Sequence, residues 1–145
     1  MPKKIIPQIV LGAVVFNDNK VLILQRGKNE KVFPNLWELP SGKKEPLEAI
    51  KKSLIREVQE ETGLDVEIVD ILSAFGYQIE KEEEIIDSVQ INFLVKPIKN
   101  AQVILSHEHQ AYAWISRNEI DKYTISKNTQ QAICKGFELI NKLNK

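Results

Sequence analysis

The sequence lacks the features that mark several specialised classes of protein. A single cysteine, Cys134, stands among 145 residues. One cysteine excludes an internal disulfide framework and is typical of a reducing compartment. Because Cys134 falls within a helical apolar pattern, we expect a buried thiol rather than a nucleophile. Twenty basic and twenty acidic residues cancel, so no global field exists to hold a nucleic-acid polymer or an anionic membrane.

Long apolar runs are also missing. No stretch approaches the length of a transmembrane helix, and the apolar run near the N-terminus is too short and broken for a signal peptide. We therefore expect a cytoplasmic protein without a membrane partner. The apolar content of 43% and the charged content of 28% are ordinary for a globular protein. The length predicts one domain, residues 1–145, with a substantial core.

Apolar patterns predict more strands than helices. A β-branched run at 8–16 and a second at 21–26, separated by a polar turn, predict a hairpin. The charge run at 80–84 predicts a solvated loop tip. Ser116 with Glu119 predicts a capped helix start, as does Asn128 with Gln131 for the last helix. That helix has an apolar stripe formed by Ile133, Phe137, Ile140 and Leu143. The remaining predicted strands are 66–75, 88–95, 102–105 and 111–115.

A helix near the middle of the chain carries three acids on one flank. Pro46 suits its first position, Gly63 suits the left-handed residue past its end, and a stripe from Leu47 to Val58 has helical spacing. Glu57, Glu60 and Glu61 lie at i, i+3 and i+4, where they repel one another and face the negative end of the helix dipole. Mg²⁺ would cancel that repulsion. A solvated acidic face is the alternative, and the triplet alone does not decide between them.

The segment from Gly42 to Leu64, GKKEPLEAIKKSLIREVQEETGL, closely resembles the signature box of the Nudix hydrolases. Agreement at so many fixed positions is far more specific than a lone glycine motif. The preceding WELPSG is similar to the approach in MutT-like members, except that Ser41 stands where many members have glycine. A serine would be strained there only if the backbone needs a positive φ. The filled positions are Gly42, Glu48, Arg56, Glu57, Val58, Glu60, Glu61, Gly63 and Leu64.

The resemblance implies a fold and a set of roles. Nudix domains are α/β/α sandwiches with a mixed β-sheet between helices, whereas pattern alone indicates only α/β or α+β. By matching positions, Glu57, Glu60, Glu61 and the Gly42 carbonyl would hold Mg²⁺ or Mn²⁺. Glu57 or Glu60 would also orient or deprotonate the attacking water, although a metal-bound carboxylate is a poor base. Arg56 would pair with a neighbouring glutamate and fix its rotamer, and Glu48 would be structural or outer-shell.

Another acid outside the box is a candidate for the same site. Nudix proteins often carry an acidic residue on a late loop that reaches the metals, and Glu108, shortly before Trp114, resembles it. An ordinary loop glutamate is the equal alternative. The neighbouring His107 and His109 do not predict a zinc site, because no further Cys or His ligands are suitably spaced. We expect both histidines to be exposed in the loop.

Contacts to a substrate base have several aromatic candidates. They are Phe75, Tyr77, Phe93 and Trp37, and the sequence does not select among them. Trp37 is expected mainly in the core. Glu38 is ambiguous between a solvated side chain and a carboxylate at the rim of the site.

The resemblance implies a small nucleotide substrate, a nucleoside diphosphate linked to a further group. The short chain and the WELPSG approach favour a MutT-like nucleoside triphosphate pyrophosphohydrolase that releases a monophosphate and pyrophosphate. The proline typical of ADP-ribose hydrolases is missing after Tyr77. A hydrolase of ADP-ribose, nucleotide sugars or dinucleoside polyphosphates is the alternative enzyme. A non-catalytic nucleotide-binding module is disfavoured because no box carboxylate is lost. A homodimer is an open expectation.

Overall fold

The computed structural model describes residues 2–144, in which seven strands and two α-helices alternate with short loops. The predicted strands are all present except 102–105, and most are longer than their apolar cores. A 3-10 helix, Arg117–Lys122, joins the last strand to the last helix. The elements are β1 (Lys4–Asn17), β2 (Lys20–Arg26), β3 (Trp37–Glu38), β4 (Ser41–Lys43), α1 (Ile50–Thr62), β5 (Val66–Glu80), β6 (Glu84–Pro97), β7 (His109–Ile115) and α2 (Lys127–Leu143).

Strand β1 is the centre of a mixed sheet. The strand order is β3-β2-β1-β6-β5, with β4 paired to β1 and β7 paired to β2. Strands β1 and β6 run parallel over most of their length, while the other pairs are antiparallel. The predicted hairpin is confirmed: Phe16 pairs with Val21, and Asp18 and Asn19 supply the two positive φ angles of a tight two-residue turn.

The two faces of the sheet have separate cores. Odd-numbered β1 residues such as Leu11 and Val15 pack with Leu54 and Val58 of α1. Even-numbered Val14 packs on the opposite face with α2 residues. The helices therefore cover opposite faces, and the predicted α/β/α arrangement with a mixed sheet is confirmed. No helix in residues 2–144 has both the length and the apolarity needed to cross a membrane.

The start of α1 differs from the prediction, while its end agrees. The helix begins at Ile50 rather than at Pro46, because Leu47 has a φ of 65°, which a right-handed helix cannot contain. Leu47 is fully exposed and contributes nothing to the apolar stripe. At the other end Gly63 adopts a φ of 73°, and its N–H donates to the Gln59 carbonyl at 2.8 Å. Gly63 is thus the predicted C-terminal cap.

Three further predictions were wrong in the last third of the chain. The cap of α2 is Ser126, whose Oγ accepts from the Thr129 N–H at 3.3 Å, and not Asn128. Segment 102–105 forms no strand, since its backbone instead bonds the end of α1, with the Ile104 N–H donating to Thr62. Cys134 is partly exposed rather than buried. The capping pair of Ser116 and Glu119 is present, at the 3-10 helix.

Candidate active site

The last two turns of α1 meet the loop and strand that begin the signature segment. The Ser41 N–H donates to Glu61 Oε1 at 2.9 Å, which ties β4 to the C-terminal end of α1. Ser41 lies outside the left-handed region, so the serine is not strained in the position where many relatives have glycine. Strand β4 is held in turn against β1, where Gly42 pairs with Leu11. Glu61 is therefore linked through β4 to the central strand of the sheet.

Gly42 leaves room for a carboxylate. A Cβ added at this residue would overlap the Glu57 carboxylate, including Glu57 Oε1 at 2.6 Å. The side chain of Glu57 therefore lies directly over the backbone of β4. Any residue other than glycine would push this acid away from the strand. The missing side chain of Gly42 thus provides the space that the Glu57 carboxylate occupies.

Arg56 forms ion pairs with three glutamates of the signature segment. Its Nε and Nη2 donate to the two oxygens of Glu48, both at 2.9 Å, in the bidentate geometry that guanidinium favours. Its Nη1 donates to Glu57 at 2.9 Å and to Glu60 at 3.1 Å. The Arg56 guanidinium, through these bonds, lowers the pKa of Glu48 to about 2. The structure thus pairs Arg56 with neighbouring glutamates, as the sequence predicted.

Burial and mutual repulsion oppose the ionisation of the remaining acids. Burial raises the pKa of Glu61 to about 8, against the Ser41 N–H that lowers it, and Glu38, Glu108 and Glu57 raise it further. Burial likewise raises the pKa of Glu57, although Arg56 opposes the shift. A cation placed among these carboxylates would favour their charged forms and oppose both shifts.

The donor set fits a hard divalent cation. Its atoms are the carboxylate oxygens of Glu57, Glu60 and Glu61, with Glu57 lying over the Gly42 backbone, and oxygen is the ligand that Mg²⁺ prefers. Within residues 2–144 no three acidic, histidine or cysteine side chains converge on one point as they stand. The physical reason is Arg56, whose guanidinium draws Glu57 and Glu60 to itself.

Glu108 lies on a turn that reaches the same region. The Ser106 N–H donates to the Glu61 carbonyl at 3.2 Å, and the His109 N–H closes the turn on the Ser106 carbonyl at 3.3 Å. The exposed Glu108 carboxylate is near enough to raise the pKa of both Glu57 and Glu61. The late loop and the box are therefore neighbours, and the catalytic role of Glu108 stays a prediction.

A buried histidine in this turn was missed. His109 was expected to be exposed, but only 1% of its side chain is, and its Nε2 lies 2.9 Å from Glu38 Oε2. Glu38 also pairs with Arg26 at 3.3 Å, so it is a rim carboxylate held on two sides. His107 is exposed as predicted. No sequence signal identifies the pair, because 71 residues separate its members.

The aromatic candidates separate by position. Trp37 is half-buried and packs edge-on against Tyr123, with ring centroids 5.0 Å apart, so its core role is supported. Phe93 is 7% exposed and belongs to the core beneath α1. Phe75 and Tyr77 remain half-buried on β5, with ring centroids 5.7 Å apart. Of the four aromatic residues, these two belong to neither hydrophobic core.

Comparison with known proteins agrees with the geometry. The NUDIX domain model matches residues 7–135. The nucleoside triphosphatase NudI of Salmonella agona is 30% identical over 132 residues, covering 86% of this chain and 92% of that protein. The crystal structure of a MutT protein from Methanosarcina mazei Go1 superimposes with a TM-score of 0.70 and 28% identity, covering 100% of this chain and 99% of the other.

A more distant structure supports the fold alone. A C. elegans Ap4A hydrolase has a TM-score of 0.77 at 21% identity, covering 93% of this chain and 98% of the other. The family model spans most of the chain, and it coincides with the complete box and the α/β/α sheet described above. This chain belongs to the NUDIX family and is a MutT-like Nudix hydrolase that acts on nucleoside diphosphate derivatives.

Proposed function

We propose that this chain is a nucleoside triphosphate pyrophosphohydrolase that releases a nucleoside monophosphate and pyrophosphate with the help of Mg²⁺, or alternatively Mn²⁺. The observation that carries the proposal is the complete set of box acids gathered by Arg56 at the junction of α1 and β4. A relative named as a nucleoside triphosphatase, 30% identical over most of both chains, supports the triphosphate substrate. For this chain, a cytoplasmic location and a homodimer stay predictions.

The metal would be held by the acids on the flank of α1. We assign Glu57, Glu60 and Glu61 as carboxylate ligands and the Gly42 carbonyl as a further ligand, in keeping with the general use of divalent metals in the family. When bound, the ion neutralises phosphate charge and lowers the pKa of a coordinated water. Arg56 would act through these acids by limiting the rotamers of Glu57 and Glu60.

The reaction needs water to attack one phosphorus and a base to accept its proton. The P–O bond between the attacked phosphoryl group and its neighbour breaks, and the leaving oxygen departs with the pyrophosphate. Glu57 and Glu60 are candidates for orienting the water, but a carboxylate engaged with a cation or Arg56 is a weak base. Glu108 is exposed on the adjacent turn, and we assign it as the third candidate for the base.

A polar concavity next to the turn that carries Glu108 contains one lysine, a candidate contact for phosphate. Its volume is about 330 Å³, and it lies between the loop at 27–30 and the late turn. Lys28, His107 and Gln110 line it together with Glu30. The Lys28 ammonium is a suitable partner for a nucleotide phosphate, although the Glu30 carboxylate opposes part of its charge. We propose that the terminal phosphates of the substrate extend toward this concavity.

Other substrates of the family are the alternative. ADP-ribose, nucleotide sugars and dinucleoside polyphosphates share the linked diphosphate, and the Ap4A hydrolase above has the same fold. Its 21% identity supports no statement about substrate. A module that only binds nucleotides is disfavoured, because Glu57, Glu60 and Glu61 are all retained. Triphosphates therefore remain the first choice.

The test is a product assay over a substrate panel. Purified protein with Mg²⁺ would be given nucleoside triphosphates, ADP-ribose, nucleotide sugars and dinucleoside polyphosphates, and pyrophosphate would be separated from phosphate by ion-exchange chromatography. Turnover of triphosphates with pyrophosphate as product supports the proposal. Turnover confined to linked diphosphates replaces it with the alternative enzyme. Tight nucleotide binding without turnover under Mg²⁺ and Mn²⁺ would favour the binding module.

A substitution tests the metal assignment separately. Glu60→Gln keeps the size of the side chain but removes the charge, so activity should fall by a factor of about 100 or more while the melting temperature changes little. Glu67→Gln is a matched control, since Glu67 is an exposed glutamate that pairs with Lys96 away from the site. Full Mg²⁺-dependent activity in Glu60→Gln would remove Glu60 from the ligand set.

A further inference from the structure

A face of the sheet beyond α2 has the composition of a nucleobase site. Strands β5, β6 and β1 lie side by side here, and residues paired across strands point to the same face. Tyr77 pairs with Ser88 and Phe75 with Gln90, and Gln90 pairs in turn with Val10. The two aromatic rings therefore share one face with a row of uncharged polar side chains.

The two rings form an open stacking surface. Their centroids are 5.7 Å apart with 33° between the ring planes, so they lie nearly side by side rather than edge to face. Both are half-buried, while Gly76 and Gln78 between and beyond them are exposed on the opposite face. Aromatic side chains that leave a ring face accessible are the usual partners of a stacked base.

Gln90 is hydrogen-bonded to a buried amide, that of Asn92. Asn92 is fully buried, and its Nδ2 donates to Ser73 Oγ at 3.3 Å. In the structure its Oδ1 accepts from Gln90 Nε2 at 2.9 Å. With its nitrogen engaged in this way, Gln90 presents Oε1, which has no hydrogen-bond donor among residues 2–144. Gln90 is thus oriented as an acceptor.

Gly12 makes this arrangement fit. A Cβ at Gly12 would lie 3.0 Å from Gln90 Nε2 and would overlap Asn92 Oδ1. The two amides therefore extend across the bare backbone of β1. Gly12 also pairs with Ser41 of β4 on the other side, and Ser41 is the residue that binds Glu61. The amides of Gln90 and Asn92 therefore lie between the two aromatic rings and β4, whose Ser41 contacts Glu61.

The separation suits a nucleotide. Gln90 on β6 is two strand steps from β4, which is about 10 Å at the usual strand spacing. That distance is comparable to the extent of a nucleoside from its base to its first phosphate. Glu38 at the rim is also close enough to Tyr77 to contribute to the raised pKa of its hydroxyl, after the larger effect of burial. The aromatic pair and the acidic site therefore border one region.

We propose that Phe75 and Tyr77 stack on the base of the substrate and that Gln90 Oε1 accepts a hydrogen bond from an exocyclic amino group on it. The inference rests on the proposed function for the presence of a nucleotide. It deepens that function by naming the substrate class: bases with an amino group (adenine, cytosine and guanine) are preferred over uracil and thymine. Neutral amide recognition of this kind discriminates mainly through the cost of an unpaired buried group.

The experiment compares substrates that differ by one amino group. ATP and purine riboside 5′-triphosphate form one pair, and CTP and UTP form the other. Wild type should favour the amino substrate in kcat/KM by about tenfold in both pairs. Gln90→Leu should bring both ratios near one, chiefly through a loss of kcat/KM for the amino substrates. Tyr77→Ala should raise KM for all four substrates by roughly tenfold, while Tyr77→Phe, which keeps the ring, should not.

Controls separate this inference from the function on which it rests. Gln78→Ala changes a neighbouring exposed side chain on the opposite face and should leave every ratio unchanged. Wild-type ratios near one, or a Gln90→Leu enzyme with wild-type ratios, would overturn the inference and leave triphosphate hydrolysis intact. If wild type cleaves no triphosphate, the proposed function fails by itself. Calorimetric binding of AMP against purine riboside monophosphate then tests the base site, and equal affinities overturn it.

Discussion

Replacing Arg56 by lysine tests whether the guanidinium organises the acids of the box. Arg56 bonds Glu48 through two nitrogens at 2.9 Å, and its third nitrogen serves Glu57 and Glu60. Lysine keeps the charge, but its ammonium is a single point and cannot reproduce a planar fork. The substitution therefore removes geometry and leaves the net charge of the site unchanged.

The magnitude follows from the exposure of the side chain. Hydrogen bonds to charged groups contribute about 1.5–3 kcal/mol when buried, but 30% of the Arg56 side chain is exposed. Exposed ion pairs contribute about 1 kcal/mol or less. With three carboxylate partners, we expect Arg56→Lys to lower the free energy of unfolding by about 1–2 kcal/mol. At this chain length the melting temperature would fall by roughly 3–8 °C.

Arg56→Lys should reduce activity more strongly than it reduces stability. Residues that orient metal ligands typically change affinity or activity 10- to 100-fold, so kcat/KM should fall within about that range. A doubled substitution with Glu48→Gln should cost less than the sum of the two single changes, because both remove the same pair. Rescue of part of the loss by higher Mg²⁺ would distinguish ligand positioning from a general loss of fold.

Arg117→Lys is the matched control. Arg117 pairs with Glu138 at 3.3 Å on the surface, and about half of each side chain is exposed. This substitution should change the unfolding free energy by less than about 0.5 kcal/mol and leave kcat/KM unchanged. If Arg56→Lys behaves like the control in both urea unfolding and kinetics, the guanidinium does not organise the site.

Three other changes test separate parts of the structure. Mg²⁺ at ten times its dissociation constant should stabilise the protein by about 1.4 kcal/mol; a melting temperature that Mg²⁺ does not raise, or raises equally in Glu60→Gln, would contradict the metal assignment. His109→Ala removes a buried ring and its carboxylate bond, so urea unfolding should show a loss of roughly 2–4 kcal/mol, against about 0.5 kcal/mol or less for the exposed His107→Ala; equal losses would refute the difference in burial. The hydrogen bonds from Ser116 lower the pKa of Glu119 in the folded protein. The contribution of Glu119 to folding stability is therefore complete above pH 4.5, and it is lost as the pH falls through the lowered pKa of the folded state. Glu119→Gln should flatten the decline of melting temperature in that acid range, and an unchanged slope would show that the capping box does not titrate.

The fold was predictable where local pattern and burial agree. The apolar run of β1 predicts a central strand. Its odd-numbered residues pack against α1 and its even-numbered Val14 packs against α2, on the opposite face of the sheet. The end of α1 was also predictable, because Gly63 supplies a positive φ that the helix end requires. The start of α1 was not. Leu47 fits the apolar stripe by spacing, but the backbone turns left-handed there, and spacing carries no information about φ.

The site was predictable as a set of residues and not as a set of contacts. The fixed spacing of the box places Glu57, Glu60 and Glu61 on one helix, so their proximity follows from helical geometry alone. The partners from elsewhere in the chain do not follow. His109 meets Glu38 across 71 residues, and Asn92 meets Ser73 across a bulged pairing of β5 and β6. Only the strand register brings such pairs together.

The imbalance of charge at the site links metal binding to substrate binding. Glu61 is buried and Glu57 is half-buried, and the charge of Glu108 acts on both, while the guanidinium of Arg56 is already shared among three acids. The phosphates of a nucleotide would add further negative charge to the same region, and at low dielectric that repulsion is strong. Nucleotide affinity measured by calorimetry with a chelator present should therefore fall at least tenfold below the value with Mg²⁺. Equal affinities would mean that Lys28 and its neighbours hold the phosphates by themselves, and that the acids of the box serve only the chemical step.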